Sequence, residues 1–300
     1  MAATPTLKQL RYLMALSETL SFTKAAERCF VGQSTLSAGL KELEDTLGTQ
    51  LVERDKHTVS LTPTGRGVVE RAQRLIAQAD DLVDFVQGAA GSMVGVIKLG
   101  VIPTIAPFLL PALLARMRHD FPHLKIVLRE DLSANLIDKL NRHQLDFALI
   151  ALPYDTEGFL TKELFDDELW LIGNQHDPAL KNKEIQLTNQ LADRILLLEE
   201  GNCLREHTLT VCTKSDLAST DGIEATSLLT LVQMVESGLG IALLPEMAVK
   251  SGLLIQTNLI ARPLTAPAPK RKIALIARPS TARIEEFNAL VKVLKESRGG

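Results

Sequence analysis

Cys203 and Cys212 stand nine positions apart in a segment that begins Leu198-Glu-Glu-Gly-Asn-Cys203-Leu-Arg205-Glu-His207, at an expected strand end. Two thiols in one short stretch can do redox chemistry. Peroxide converts a thiolate to a sulfenic acid, which a second thiol condenses with to form a disulfide. A free thiol with a pKa near 8.5 is only about 3% thiolate at pH 7. Arg205 and His207 would raise that fraction, whereas Glu199, Glu200 and Glu206 oppose it, so sequence leaves the field at Cys203 open. If the intervening segment is helical, nine residues at about 1.5 Å each hold the two Cα atoms about 13 Å apart, beyond the roughly 7 Å that a disulfide spans. Bonding would then require refolding, which suits a switch. The bland alternative is a pair of buried apolar cysteines with no redox role.

The third thiol, Cys29, reads as a core residue of a short helix. His119, His123, His143 and His176 form no ligand constellation with each other or with the cysteines, so no metal site and no cofactor are expected. With three cysteines in 300 residues the chain is not a disulfide scaffold. At 46% hydrophobic and 23% charged it is globular, and its longest apolar runs fall short of the roughly 18 residues that span a bilayer. The N-terminus lacks the cationic, apolar and small-residue order of a secretion signal, so the expected compartment is the cytoplasm with no membrane partner. A net charge of −3 gives no global signature for nucleic acid. Residues 1–66 carry eight Lys or Arg against seven Asp or Glu, so any DNA-binding charge must be gathered on one face.

The elements that would carry such a face are legible. Thr6 can cap a helix in which Leu7, Leu10, Leu13, Leu16 and Leu20 recur at helical spacing. A second helix fits Phe22 to Cys29, Val31-Gly32 supplies a turn, and a third fits Gln33 to Leu47. In the third, Leu36, Leu40, Leu43 and Leu47 form the apolar stripe. That leaves Gln33, Ser34, Thr35, Ser37 and Lys41 exposed near its start, where short hydrogen-bonding side chains and an amide can read base edges in a major groove. Gln50 to Glu53 and Thr58 to Thr62 read as a two-stranded wing whose tip, with Arg54, Lys56 and His57, could touch phosphate or the minor groove. The bland reading is a three-helix packing unit with a solvated turn.

Thr62-Pro63 starts another helix that runs to about Gln87. Its apolar series Val68, Ala72, Leu75, Ala79, Leu82 and Val86, with Val69, Ile76 and Val83 alongside, has coiled-coil spacing and predicts pairing with a second subunit. Packing against its own domain is the alternative. Gly88-Ala-Ala-Gly91-Ser92 ends it as a hinge. From Val94 onward, β-prone runs alternate with helices, implying an open α/β architecture. Strands fit Val96 to Val101, Lys125 to Arg129, Asp146 to Ala151, Leu169 to Ile172, Ile195 to Leu198, Ile241 to Leu244 and Lys272 to Ala277. Helices fit Ala106 to Arg118, Ser133 to Arg142 and Ser227 to Ser237. The expected domains are a winged helix-turn-helix at 1–62, a linker helix and hinge at 63–91, and a two-lobed regulatory domain at 92–300. Lobe I takes 92–166 and 271–300, and lobe II takes 167–270, with a cleft between them for a ligand.

The stretches Phe22-Thr-Lys-Ala-Ala-Glu-Arg-Cys29, Gln33-Ser-Thr-Leu-Ser37, Leu43-Glu-Asp-Thr-Leu-Gly48 and Leu61-Thr-Pro-Thr-Gly65 resemble the DNA-binding signature of the LysR-type transcriptional regulators. The chain departs from it at Gly32, where Ser is common, and at Ser34, where Pro is common. The resemblance implies a DNA-binding regulator rather than an enzyme, with a regulatory domain similar to periplasmic solute-binding proteins. It also implies assembly as a homodimer or homotetramer on a double-stranded DNA operator. The cysteine segment resembles the peroxide-sensing, OxyR-type branch. That likeness implies Cys203 as the peroxide-reacting thiol, Cys212 as the resolving thiol, hydrogen peroxide as the signal and a cellular thiol as reductant. By the same likeness Thr104, Ser133 and Arg271 would position peroxide, with Asn202 and Arg205 beside the thiol. Asn202 stands where that branch typically has His. Each also has a structural reading: Thr104 a turn residue, Ser133 a helix cap, Arg271 a surface charge. Two other readings remain at this stage: a regulator responding to a small metabolite in the cleft with incidental cysteines, and a thiol peroxidase.

Overall fold

The computed structural model describes residues 4–54, 59–88, 93–211 and 224–296. The chain divides into two compact units, Met1–Gln87 and Gly88–Gly300. In the first, α1 (Leu7–Thr19) opens on a reciprocal capping box: the Thr6 hydroxyl accepts the Gln9 N–H, and the Gln9 side chain accepts the Thr6 N–H. Leu10, Leu13 and Leu16 are buried, but Leu7 and Leu20 of the same expected stripe are exposed, because they lie at the two ends and Leu20 turns left-handed as the C-cap. Buried Ala25 and Ala26 of α2 (Phe22–Arg28) permit close packing, and Cys29 is its half-buried C-cap, packed against the edge of the core. α3 (Gln33–Leu47) runs from Gly32 to a left-handed Gly48 and buries Leu36, Leu40 and Leu43.

β1 (Val52–Arg54) pairs antiparallel with β2 (Val59–Leu61), Val52 opposite Leu61, forming the expected wing. Lys56 and His57 lie outside the described residues, as does the Arg54 side chain. α4 (Pro63–Gly88) divides its apolar positions. Val69, Ala72 and Ile76 pack into the core formed by α1 to α3, whereas Leu75 and Leu82 are 51% and 66% exposed. The expected single stripe is therefore two ridges, one facing its own unit. The side chains of Val83 and Val86 lie outside the described residues.

The second unit runs β3 (Gly95–Val101), α5 (Ala106–Asp120), β4 (Leu124–Glu130), α6 (Ser133–Asn141), β5 (Phe147–Leu152) and β6 (Leu160–Asn174). It continues α7 (Asn189–Ala192), α8 (Cys203–Val211), α9 (Leu228–Glu236), β7 (Ala242–Pro245), α10 (Glu246–Lys250), β8 (Leu259–Pro263), β9 (Lys270–Ala277) and α11 (Ile284–Glu296). The sheet order is β4-β3-β5-β9-β6-β7, with β8 also on β6. β3 lies parallel to β4 and β5, while β9 is antiparallel to β5 and β6. β5 is buried almost throughout, as its unbroken apolar run requires of a strand covered on both faces.

β6 is far longer than the expected Leu169 to Ile172. Its first part pairs with β9 as far as Glu168 opposite Lys270, and its remainder pairs with β7 and β8. Two cores result, one around Ile97, Phe147, Leu275 and Phe287, the other around Leu171, Leu197, Val232 and Leu243. Among the described residues the expected strand Ile195 to Leu198 makes only single bridges, Ile195 to Ile241 and Leu198 to Ala225; its apolar run records burial rather than a ladder. β8, α10 and α11 were not anticipated. Among the described residues no helix is long and apolar enough to cross a membrane.

The joint between wing and α4 is sterically tight. The Thr62 hydroxyl donates to the Gln50 carbonyl at 3.0 Å and accepts the Gly65 N–H at 2.8 Å. A Cβ on Gly65 would lie 2.1 Å from the Leu51 carbonyl oxygen, a backbone atom that cannot turn aside. Gly65→Ala is expected to lower stability by about 1–3 kcal/mol, the usual cost of overpacking. Chemical denaturation of the full chain measures it, and a loss under about 0.5 kcal/mol, the level of an ordinary surface change, would contradict this packing.

Candidate functional site

Cys203 is the first residue of α8, and Asn202 before it accepts the Leu204 N–H on Oδ1 at 3.1 Å, capping the helix. Gly201, at φ 87°, makes the turn into it. Cys203 is buried in the first core and Leu204 in the second, so α8 begins where the two meet. Thr104 beyond β3, Ser133 at the start of α6 and Arg271 on β9 converge on the thiol, all three buried. Three residues more than 60 positions distant in sequence from Cys203 are thus brought to one sulfur.

Arg271 has no exposed surface, which excludes its reading as a surface charge. Its Nη1 donates to Thr104 Oγ1 at 2.7 Å, its Nη2 to the Thr104 carbonyl at 3.0 Å, and its Nε to Asp167 Oδ2 at 3.0 Å. Asp167, on β6, accepts the Met247 N–H on its other oxygen at 3.1 Å. Sequence reading missed Asp167. It lies directly across the β6–β9 ladder from Arg271, a pairing visible only once register is known. Thr104 is accordingly not a mere turn residue, since it fixes the guanidinium.

Ser133 is not the cap of α6. Leu132 holds that position, and the Asp131 carboxylate accepts the Leu132 N–H at 3.0 Å together with the Asn135 and Lys139 side chains. Ser133 Oγ is close enough to Cys203 to favour its thiolate, yet it completes no well-aligned hydrogen bond among the described residues. Burial pushes the Cys203 thiol up; Arg271, the Thr104 and Ser133 hydroxyls and the Leu204 N–H pull against it without reversing the shift. The resting group is a neutral thiol surrounded by donors arranged for an anion.

Arg205, expected beside the thiol, is engaged elsewhere: its Nη1 donates to the Leu198 carbonyl at 2.9 Å and the Glu224 carboxylate at 2.6 Å. His207, expected as a charge that raises the thiolate fraction, is instead pushed toward its neutral form by burial, and Tyr154 was not expected here. His207 is buried one helical turn after Cys203, and the Tyr154 phenol is near enough to feel charge on Cys203. Cys212 lies outside the described residues. On α3, Gln33, Ser34, Thr35 and Lys41 are exposed and Ser37 is half-buried; Gln33 Oε1 accepts the Thr23 hydroxyl at 3.3 Å.

A helix-turn-helix unit with a wing, followed by an α/β unit with two cores, defines a DNA-binding regulator with an effector domain. Residues 7–66 match the bacterial regulatory helix-turn-helix protein, lysR family, and residues 90–299 match the LysR substrate binding domain. The chain belongs to the LysR family of transcriptional regulators. It is similar to the HTH-type transcriptional regulator EstR of Acinetobacter baylyi, 43% identical over 98% of each chain. It is also 33% identical to the hydrogen peroxide-inducible genes activator of Dickeya chrysanthemi, over 97% of this chain and 95% of that one. Among solved structures, a full-length OxyR mutant from Pseudomonas aeruginosa matches with TM-score 0.76 and 35% identity, covering 97% of this chain and 98% of that one.

The thiol environment has a direct test. The rate of Cys203 alkylation, followed by mass spectrometry across pH, is expected to inflect above the ordinary value of about 8.5. Ser133→Ala removes one donor to the thiolate and should raise the inflection further. An inflection below the ordinary value in the parent protein would contradict the neutral-thiol description.

Proposed function

We propose that this regulator responds to hydrogen peroxide through Cys203. The observation that carries the reading is the buried thiol at the start of α8, faced by the Thr104 and Ser133 hydroxyls and the Arg271 guanidinium. The thiolate sulfur attacks one peroxide oxygen, the O–O bond breaks, and the leaving hydroxide takes the proton released by the thiol, giving sulfenic acid and water. Arg271 and the two hydroxyls donate hydrogen bonds to the peroxide oxygens and steady the departing one. The Cys212 thiol then displaces water from the sulfenic acid to close the disulfide, and a cellular thiol reductant returns both cysteines to the reduced state. Because α8 is helical from Cys203 to Val211, closure requires unwinding it. Asn202, where OxyR-type proteins typically have His, supports the helix start instead of the thiol.

On this reading residues 1–62 bind DNA, 63–91 link and pair two chains, and 92–300 sense, with lobe I at 92–166 and 271–300 and lobe II at 167–270. Gln33, Ser34, Thr35, Ser37 and Lys41 of α3 enter the major groove, and Arg54 and His57 of the wing approach the backbone. The exposed Leu75 and Leu82 ridge of α4 supports pairing into a homodimer, or a homotetramer built from it. A second reading, a small-metabolite regulator with incidental cysteines, draws support from the higher identity to EstR than to the peroxide-named relative.

Mass mapping after stoichiometric peroxide separates the two. The expected product is a Cys203 to Cys212 peptide with an altered DNA footprint, both lost in Cys203→Ser. No such peptide, with an unchanged footprint, would leave the metabolite reading standing. For assembly, Leu75→Asp is expected to yield monomers in sedimentation and to lose operator binding. A variant that remains dimeric would reject pairing through α4.

A further inference from the structure

His207 lies on α8 four residues after Cys203, on the same helical face. Its Nε2 meets the Leu152 carbonyl at 3.1 Å, across 55 residues of sequence, at the end of β5 and against the first core, where Cys203 is also buried. The ring is buried and near enough to the Cys203 carbonyl to feel it, and its Nδ1 completes no hydrogen bond among the described residues. Apart from the Cys203 thiol, which faces Thr104 and Ser133, it is the one side chain of α8 shown among the described residues to bond to lobe I, and the corner it grips leads two residues on to Tyr154, whose phenol is near Cys203. Other polar side chains of α8 bond within it or toward Glu224 and Leu198: Arg205 to those two, Thr208 to the Leu204 carbonyl, Thr210 to the Glu206 and His207 carbonyls.

We propose that His207 is a positioning residue of the sensing site: its Nε2–H, donated to the Leu152 carbonyl, clasps α8 to the end of β5 and thereby holds Cys203 against Thr104, Ser133 and Arg271. The inference deepens the peroxide reading and rests on it only for the purpose of the clasp, not for its existence. With the clasp in place the thiol is shielded and surrounded by donors; with it released, α8 drifts from lobe I, and Cys203 exchanges its donors for solvent.

The charge state of the ring follows from its surroundings. Burial and the Arg271 guanidinium on β9 push the imidazole below its ordinary pKa, against the Leu152 and Cys203 carbonyls and the Glu206 carboxylate, which favour the cation. Asp167 on β6 is committed to Arg271, and among the described residues the other ionisable groups at the site are the Cys203 thiol and the Tyr154 phenol. A clasped ring is therefore neutral, while a released ring in water titrates normally near 6.5. The released state binds more protons as pH falls, so the clasp is at full strength above that value and weakens below it.

The test uses the full-length protein carrying Cys212→Ser, so that only the first oxidation is read. Loss of the Cys203 thiol is followed by mass spectrometry with hydrogen peroxide and, separately, with iodoacetamide, at about pH 7.5 and about pH 5.5, either side of the ordinary imidazole value. At the higher pH, His207→Leu is expected to slow the peroxide reaction and speed iodoacetamide, each by about tenfold, as loss of a buried hydrogen bond permits. His207→Gln, whose amide can still donate to Leu152 but does not titrate, should stay within about twofold of its parent, inside the scatter of a retained hydrogen bond. At the lower pH the parent, compared with the Gln variant so that thiol titration cancels, should move toward the Leu pattern. Rates unchanged in His207→Leu, or both rates moving in one direction, would overturn the clasp. Should the Leu variant fail to fold, the parent and Gln comparison decides: equal pH dependence in the two overturns it. A parent in which peroxide leaves Cys203 untouched would reject the peroxide reading, while the iodoacetamide rates still decide the clasp.

Discussion

A guanidinium sealed from solvent must be neutralised where it stands, because an unpaired charge in such a place costs several kcal/mol. Arg271 meets this demand with Asp167 across one ladder and Thr104 beyond the end of β3. The arrangement ties β9, β6 and the β3 end to one point, and the Met247 N–H on Asp167 adds α10. Cys203 therefore faces a positive group whose direction is set by two strands and the buried turn after a third. The resulting field is fixed before any ligand arrives, and the thiol sits in it protonated because burial outweighs attraction.

Polar residues next to Cys203 in sequence turn out to serve backbone. Asn202 caps α8, and Arg205 closes onto Leu198 and Glu224. The groups that face the sulfur come from far along the chain. Sequence reading could find Thr104, Ser133 and Arg271 only through family likeness; it named His207 only as a charge beside the thiol, and it could not find Asp167, Tyr154 or the bond from His207 to Leu152, which depend on register and on a contact spanning 55 residues. Local geometry was far more legible. Caps at Thr6 and Thr62, leucine spacing in α3 and the unbroken apolar run of β5 each place an element within a residue or two of its observed ends.

The failures follow from the same division. Spacing along α4 marks two parallel apolar ridges but carries no information on which one faces its own unit, so Val69 and Ile76 were grouped with Leu75 and Leu82. Ile195 to Leu198 looks like a strand because burial selects the same residues whether or not a neighbour supplies a ladder. Ser133 looks like a cap because serine usually is one; Asp131 and Leu132 assume that role here.

The 15-residue strand β6 has a consequence for how the second unit can be taken apart. Its two halves belong to different ladders, and β9, which completes the first of them, is translated only after the whole of the other half-molecule. Neither half is a separable module. Cutting the gene between them would leave open strand edges on both fragments, the kind of surface that recruits stray chains into aggregates. Folding of the first ladder must likewise wait for residues 270–277 near the chain's end, so a nascent or truncated product carries β5 paired with β3 but open on its β9 side and is a natural target for proteases and chaperones.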